Sequence, residues 1–369
     1  MKKIIEVSSD TNIGGAGKCL LTLLSEHDRG EYEMKVVLPE NSLLKPHVDV
    51  LGVDIIEVNG IADKSLDFKI IGTLYKIFKK EKPHIVHAHA SMSARIAARF
   101  AGCKVVYTRH SVFPPSKRIS RGIGKIINGL VNNFFADGII AVAEAAKKNL
   151  TDTGVDESKI TVILNGVSGL TPKSDEDKIK AYERFGIEPG EKVVSIVARL
   201  EDIKGHDYFI EAADKLLGEG IKAKFVIAGT GSYEEHLKEK VKELGRENDI
   251  IFTGFIKDVD SLMNITYIQC NASYGTEATS LALLEGMSLG IPAVVSDFGG
   301  NPGVISDGDN GFVVRRKNTE ALADGVRKLI CDDELYSKMQ ERSKDIFNKK
   351  FTAEAMTKQT QEFYDSIMK

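Results

Sequence analysis

The sequence predicts an α/β protein built from two doubly wound parallel sheets, and three observations carry that reading. Short runs rich in Val and Ile alternate with stretches of helical period along the whole chain. The apolar runs are nearly continuous, as strands buried on both faces are. At 369 residues the chain also exceeds the usual size of one hydrophobic core, which favours two domains.

In the first half the strands read "IIEVSS", "MKVVLP", "DIIEV", "HIVHAHA", "KVVYTRH", "GIIAVA" and "ITVILNG". In the second they read "KVVSIVARL", "AKFVIAG", "IIFTGF", "YIQCNA", "IPAVVSD" and "GFVV". Helical patterns such as "AEAAKKNLTDTG" and "HDYFIEAADKLLGEG" separate most pairs, so each half is expected to be a Rossmann-like layered unit with helices on both faces. The polar string "SGLTPKSDEDKIK" marks the break. It predicts a first domain over 1–170, a linker over 171–188 and a second domain over 189–350. The tail "FTAEAMTKQTQEFYDSIMK", 351–369, reads as one last amphipathic helix, expected to pack back on the first domain. Ligands of open α/β sheets bind beyond the carboxyl ends of the strands, so the expected site is a cleft between the two domains.

Composition narrows the class. Hydrophobic content of 42% with 28% charged residues is that of a soluble globular protein. No apolar run approaches the roughly 20 residues that span a bilayer, and "MKKIIEVSSDTN" lacks a signal-peptide core. Cys19, Cys103, Cys270 and Cys331 are scattered without metal spacing, which predicts a reducing, cytoplasmic setting. A net charge of −3 argues against a nucleic-acid binder. The charge is unevenly spread: residues 1–170 carry 23 Lys and Arg against 18 Asp and Glu, and the remainder 27 against 35. Different partners for the two halves follow.

The stretch "NIGGAGKCLLTLL", 12–24, runs a glycine cluster into a helical pattern. It is not an NTPase loop: Asn12 stands where the first glycine belongs, and Cys19 replaces the Ser or Thr after Lys18. Nor is it a dinucleotide fingerprint, because Leu20 takes the place of a small third residue. As a strand–loop–helix turn it still offers backbone N–H groups to an anion, and it also fits an ordinary tight turn.

The most informative segment is "YGTEATSLALLEGMSLGIPAVVSD", 274–297. Thr279 or Ser280 can cap a helix that Gly290 and Pro292 stop. Glu277 precedes that helix and Glu285 lies inside it, about 12 Å apart if eight helical residues separate them. Two carboxylates so spaced suit the two ends of an elongated ligand, and the helix start between them suits a phosphate. In "VARLEDIKGHDYFI", Arg199 ends a strand and Lys204 follows in the turn, two cations at the same carboxyl edge. Arg forks two phosphate oxygens and Lys acts as a point charge; a surface pair of Arg199 with Glu201 is the plainer alternative. His87 and His89 share one strand face, but no third metal ligand has suitable spacing, so a structural role is expected for each.

Glu277 and Glu285 form an E-x7-E pattern, and the segment resembles the retaining GT-B glycosyltransferases of family 4 (glycosyl transferases group 1). The "GGAG" loop, "HIVHAHA", "TRHS", "VILNGV", "VARLEDIKGHDYFIEAA", "FVIAGTGS", "IFTGFIKDVDSLM" and "DGDNGFVV" follow in that family's order over nearly the whole chain. The resemblance implies a GT-B fold and a hexose-type sugar moved from a nucleotide-diphosphate sugar, UDP rather than GDP, to a glycan, glycolipid or small-molecule acceptor. It implies that Arg199 and Lys204 neutralise the leaving diphosphate, Glu277 orients the sugar hydroxyls and Glu285 holds the ribose. Thr279, Ser280 and Leu281 at the helix start, Gly229 and Gly231 in the turn, and the backbone at Phe255 and Ile256 would complete the nucleotide site. In the first domain Gly14, Gly15 and Ala16 would face donor phosphate and acceptor, His110 the transferred sugar or the charge developing near its anomeric carbon, and Arg109 the acceptor or a phosphate.

No cofactor and no metal are expected. The strings "DVD" (258–260), "DGD" (307–309) and "DED" (175–177) imitate a metal-binding DxD but read as a helix cap, a turn and linker. One departure from the family is Gly303 in "GGNPGVI", where Glu commonly follows the Pro; it bears on donor choice. The segments 110–135 and 68–82 supply basic amphipathic helices that fit either a solvated face or an anionic membrane surface at the inner membrane face. Two rivals remain at this level: a UDP-N-acetylhexosamine 2-epimerase-like isomerase, which gives no reason for E-x7-E, and a non-catalytic nucleotide-sugar-binding protein.

Overall fold

In the computed structural model, which describes every residue except Asp63 and Phe113, the strands form two wholly parallel sheets. The first takes β1 (Lys2–Ser8), β2 (Tyr32–Leu38), β3 (Asp54–Glu57), β4 (Ile85–His89), β5 (Lys104–Arg109), β6 (Gly138–Ala141) and β7 (Ile160–Val162). Their spatial order is β3-β2-β1-β4-β5-β6-β7. The second takes β8 (Val193–Val197), β9 (Lys224–Ala228), β10 (Ile250–Gly254), β11 (Thr266–Asn271), β12 (Ala293–Ser296) and β13 (Gly311–Val314), ordered β10-β9-β8-β11-β12-β13. Each sheet reverses its strand order beside its own first strand, so binding crevices are set at the carboxyl ends of β1/β4 and of β8/β11.

Strand parity sorts the first core into two layers. Ile4, Val36 and Ile85 face the helices Gly15–Glu26 and Ala353–Met368, while Ile5, Val37 and Val86 face Phe68–Glu81 and Met92–Ala101. The C-terminal helix contributes Met356, Phe363 and Tyr364 to the first of these layers. The chain divides into one compact unit of Met1–Val167 with Phe351–Lys369 and another of Ser168–Lys350. Exit and return lie side by side: the Val167 N–H donates to the Phe351 carbonyl and the Ala353 N–H to the Val167 carbonyl, both at 3.0 Å.

The segment read as a linker, 171–188, is part of the second unit. It holds the helix Asp175–Arg184, capped by Ser174, with Asp175, Glu176 and Asp177 in its first turn, where the helix dipole favours acids. Ala181, Phe185 and Ile187 are buried against Val193, Val226 and Leu262. The charge density that suggested a linker is the solvent face of a capped helix. Among the described residues no helix is long and apolar enough to cross a membrane.

Candidate active site

Lys204 and Glu277 flank the reversal point of the second sheet. Lys204 closes the turn Asp202–Lys204 after β8, and Glu277 lies in the loop after β11. Lys204 Nζ is 3.0 Å from Glu277 Oε2 and donates to the Thr276 carbonyl at 3.0 Å. The same carboxylate oxygen accepts from Asn271 Nδ2 and Ser273 Oγ, both at 3.2 Å. The two charged side chains keep only 12% and 10% of their exposure, so their charges are weakly screened while one edge stays open. Asn301 Nδ2 backs the cluster, donating to Asn271 Oδ1 at 3.3 Å and to Ser296 Oγ at 3.0 Å.

The Glu277 loop is also held from behind. Gly300 N–H donates to the Glu277 carbonyl at 3.1 Å. Gly299 has φ +61, and a Cβ there would stand 1.9 Å from that same carbonyl oxygen. Ser280 caps the helix Leu281–Leu289 by accepting from the Leu283 N–H, and Gly290 ends it at φ +86. Glu285 is half-buried one turn inside, Thr279 is half-buried and Leu281 is buried at the helix start. Arg199 stands apart from the Lys204–Glu277 cluster: it is 70% exposed and pairs with Glu201 at 2.8 Å.

Gly229 and Gly231 meet the protein's own backbone. A Cβ on Gly229 would lie 2.0 Å from the Ala198 carbonyl oxygen, and one on Gly231 2.1 Å from that of Leu200. Both let the loop after β9 rest on the loop that carries Arg199. Phe255 is exposed after β10, and Ile256 packs on the core beside the helix Asp175–Arg184. In the first unit, Gly14 and Gly15 are exposed, with nothing within 4 Å of an added Cβ, and Ala16 is half-buried. The helix Gly15–Glu26 that they open has no side-chain cap.

His110 follows β5 and is the half-buried end of a chain of otherwise buried groups. His89 Nδ1 is 2.7 Å from His110 Nε2, and His89 Nε2 is 2.9 Å from Glu6 Oε2. Tyr364 donates to Glu6 Oε1 at 2.8 Å and its oxygen is 2.6 Å from His87 Nδ1. Thr108 Oγ1 is 2.6 Å from His87 Nε2. Burial works against the Glu6 carboxylate, but His87 and His89 beside it outweigh that cost and hold it well below the usual carboxylate range. Burial keeps His87 and His110 neutral, the neighbouring imidazoles adding to the effect at His110. Arg109 donates to the Ser111 carbonyl and to Asn149 Oδ1.

Sequence reasoning missed Glu6, Tyr364, Asn271, Ser273 and Asn301. Glu6 left one signal, a lone carboxylate inside the apolar run "IIEVSS"; it is the third member of a group with His87 and His89 whose ligand atoms lie within 4.8 Å of one another. Tyr364 reaches it from 358 residues away along the chain. Of the DxD look-alikes, Asp258 caps the helix Val259–Met263, Asp309 pairs with Arg342, and 175–177 is the helical turn described above.

Residues 13–168 match the family described as Glycosyltransferase Family 4, and residues 177–346 match Glycosyl transferases group 1. The chain carries both of these domains and is a glycosyltransferase of the GT-B fold. It is 29% identical over 297 residues to the UDP-Gal:alpha-D-GlcNAc-diphosphoundecaprenol alpha-1,3-galactosyltransferase of Escherichia coli, covering 77% of this chain and 74% of that one. An uncharacterized glycosyltransferase of Methanocaldococcus jannaschii is 28% identical over 305 residues, covering 78% of this chain and 76% of its own length. Among solved structures, the HepE protein of Anabaena in complex with UDP and glucose aligns at a TM-score of 0.86 with 20% identity, over 99% of this chain and 100% of that one.

Proposed function

We propose that the protein is a retaining, metal-independent transferase that moves a hexose from a UDP-sugar to a glycan or lipid-linked acceptor in glycoconjugate synthesis. The observation that carries this reading is the Lys204–Glu277 pair, set beside a capped helix start where the second sheet reverses. Lys204 offsets the charge of Glu277, so an arriving diphosphate meets a cation rather than a carboxylate. Lys204 and Arg199 take up charge on the leaving diphosphate, and the N–H groups at Thr279, Ser280 and Leu281 add to it. Glu277 aligns the sugar hydroxyls, Glu285 the ribose, and the backbone at Phe255 and Ile256 the base. His110 and Arg109 serve the sugar and acceptor, and the Gly14–Ala16 loop the donor phosphate and acceptor. The acceptor attacks from the leaving-group side and the departing phosphate takes its proton. The UDP choice is supported by the Escherichia coli relative and by the UDP held in the Anabaena structure. Incubation with UDP-hexoses and undecaprenyl-diphosphate sugars is the test. The new linkage is expected to keep the donor's anomeric configuration when read by NMR; an inverted linkage, or a donor epimerised without transfer, would overturn the proposal.

A membrane-borne acceptor fits one surface of the first unit. On the helix Gly122–Phe134, the side chains of Ile123, Ile126, Ile127, Leu130 and Phe134 are exposed. The stretch 110–135 also holds Lys117, Arg118, Arg121 and Lys125 with no Asp or Glu before residue 137. Apolar side chains ringed by cations suit an anionic bilayer, at about 1 kcal/mol per cation near the surface. The chain is expected to sediment with vesicles containing phosphatidylglycerol at least tenfold more than with neutral ones, and Ile126→Asp with Lys125→Glu to abolish this. Equal binding to both vesicle types, or to neither, removes the membrane partner.

A further inference from the structure

Among the described residues His110 is tied down at one ring nitrogen: its Nε2 meets His89 Nδ1, whereas its Nδ1 is buried with no partner among them. The ring lines a cavity of about 30 Å³ together with Cys19, His89, Asn165 and Thr360, enough for a single water or hydroxyl. We propose that Glu6, acting through His89, sets the tautomer of His110, with the proton on Nε2 and a bare lone pair on Nδ1 that accepts a hydroxyl hydrogen bond from sugar or acceptor. Glu6 and His89 are then positioning residues, and this role rests on the reading of His110 as a ligand contact.

Counting donors along the chain leads to that assignment. An ionised carboxylate only accepts, so His89 Nε2, at 2.9 Å from Glu6, carries a proton. His89 Nδ1 then offers a lone pair, and His110 Nε2 at 2.7 Å supplies the proton between them. A neutral His110 protonated on Nε2 has nothing on Nδ1. The Glu6 carboxylate is shared beyond His89: it also accepts from Tyr364 and lies 3.1 Å from His87 Nδ1. The His89 ring packs against the His87 ring at 4.4 Å and the His110 ring at 5.0 Å between centroids. Glu6, His87 and His89 could in principle grip a cation, but their atoms are engaged with one another and with Tyr364, Thr108 and His110.

Histidine-labelled full-length protein distinguishes the outcomes. Nitrogen NMR of the wild type is expected to find His110 protonated at Nε2 and bare at Nδ1; a proton on Nδ1 overturns the proposal, as does one equivalent of metal retained through dialysis and lost in His87→Ala. Glu6→Gln is expected to mix the His110 tautomers and cut kcat about tenfold at unchanged donor KM, and His89→Gln to do the same. In a His110→Asn background Glu6→Gln should cost nothing more; an equal loss in both backgrounds would make Glu6 a packing residue and sink the relay. If His110→Asn alone leaves turnover intact, the ligand contact at His110 is wrong even where NMR finds the tautomer as assigned.

Discussion

Lys204→Ala is expected to lower turnover by about a hundredfold or more, near 3 kcal/mol of transition-state stabilisation, while the protein stays folded. The ammonium sits where the second sheet reverses and touches two groups of the Glu277 loop, the carboxylate and the Thr276 carbonyl. Its removal takes a point charge from the leaving diphosphate and leaves Glu277, among the described residues, with the neutral donors of Asn271 and Ser273. Both losses act in the same direction, because the uncompensated carboxylate then repels the phosphate that Lys204 had attracted. Arginine is not an equivalent replacement: a planar fork needs more room than a side chain already 88% covered by its surroundings provides, its exposure being 12%. Steady-state kinetics beside a melting curve decide the matter, and turnover within threefold of wild type at an unchanged melting temperature would remove Lys204 from the leaving-group role.

Gly299→Ala should damage stability and activity together. At φ +61 an L-residue costs about 1–2 kcal/mol, and the new methyl would stand 1.9 Å from the Glu277 carbonyl oxygen. Backbone cannot swing away as a side-chain tip can, so overpacking adds about 1–3 kcal/mol. Relief requires the loop to move, and a displacement near 1 Å at a group that orients substrate costs up to about a hundredfold in rate. Denaturant unfolding is expected to find a loss of roughly 2–5 kcal/mol and kinetics at least a tenfold fall in kcat. Gly303→Ala is the control: an added Cβ there meets nothing within 4 Å, so both quantities should stay near wild type. Matching behaviour of the two variants would mean the turn is softer than its geometry implies.

The sheets were readable because parallel strands buried on both faces leave long Val and Ile runs that no exposed helix imitates. A helix ending at "FGIEPGEK" was also readable, but its packing on the second unit was not, because a polar face dominates the composition while Ala181, Phe185 and Ile187 do the packing. At the candidate site, Lys204 and Glu277 stood out by residue type and spacing, yet nothing in the sequence says that they bond each other. Asn271, Ser273 and Asn301 are short polar residues at strand ends and turns, indistinguishable in sequence from ordinary loop residues. Glu6 and Tyr364 escaped because their contact joins opposite ends of the chain, and local pattern carries no such information.

That last contact has a consequence for how the protein comes into being. The first unit is finished only by the helix Ala353–Met368, and the ribosome makes that helix after the whole second unit. At about 5–20 residues per second, the nascent first sheet waits on the order of ten seconds or more without Met356, Phe363 and Tyr364 to close one of its faces. During that time the inner carboxylate of β1 lacks the phenol that completes its solvation. A message cut short before codon 351 would therefore yield a unit with one core layer incomplete and the carboxylate behind His89 and His110 short of a donor, however intact its first 167 residues.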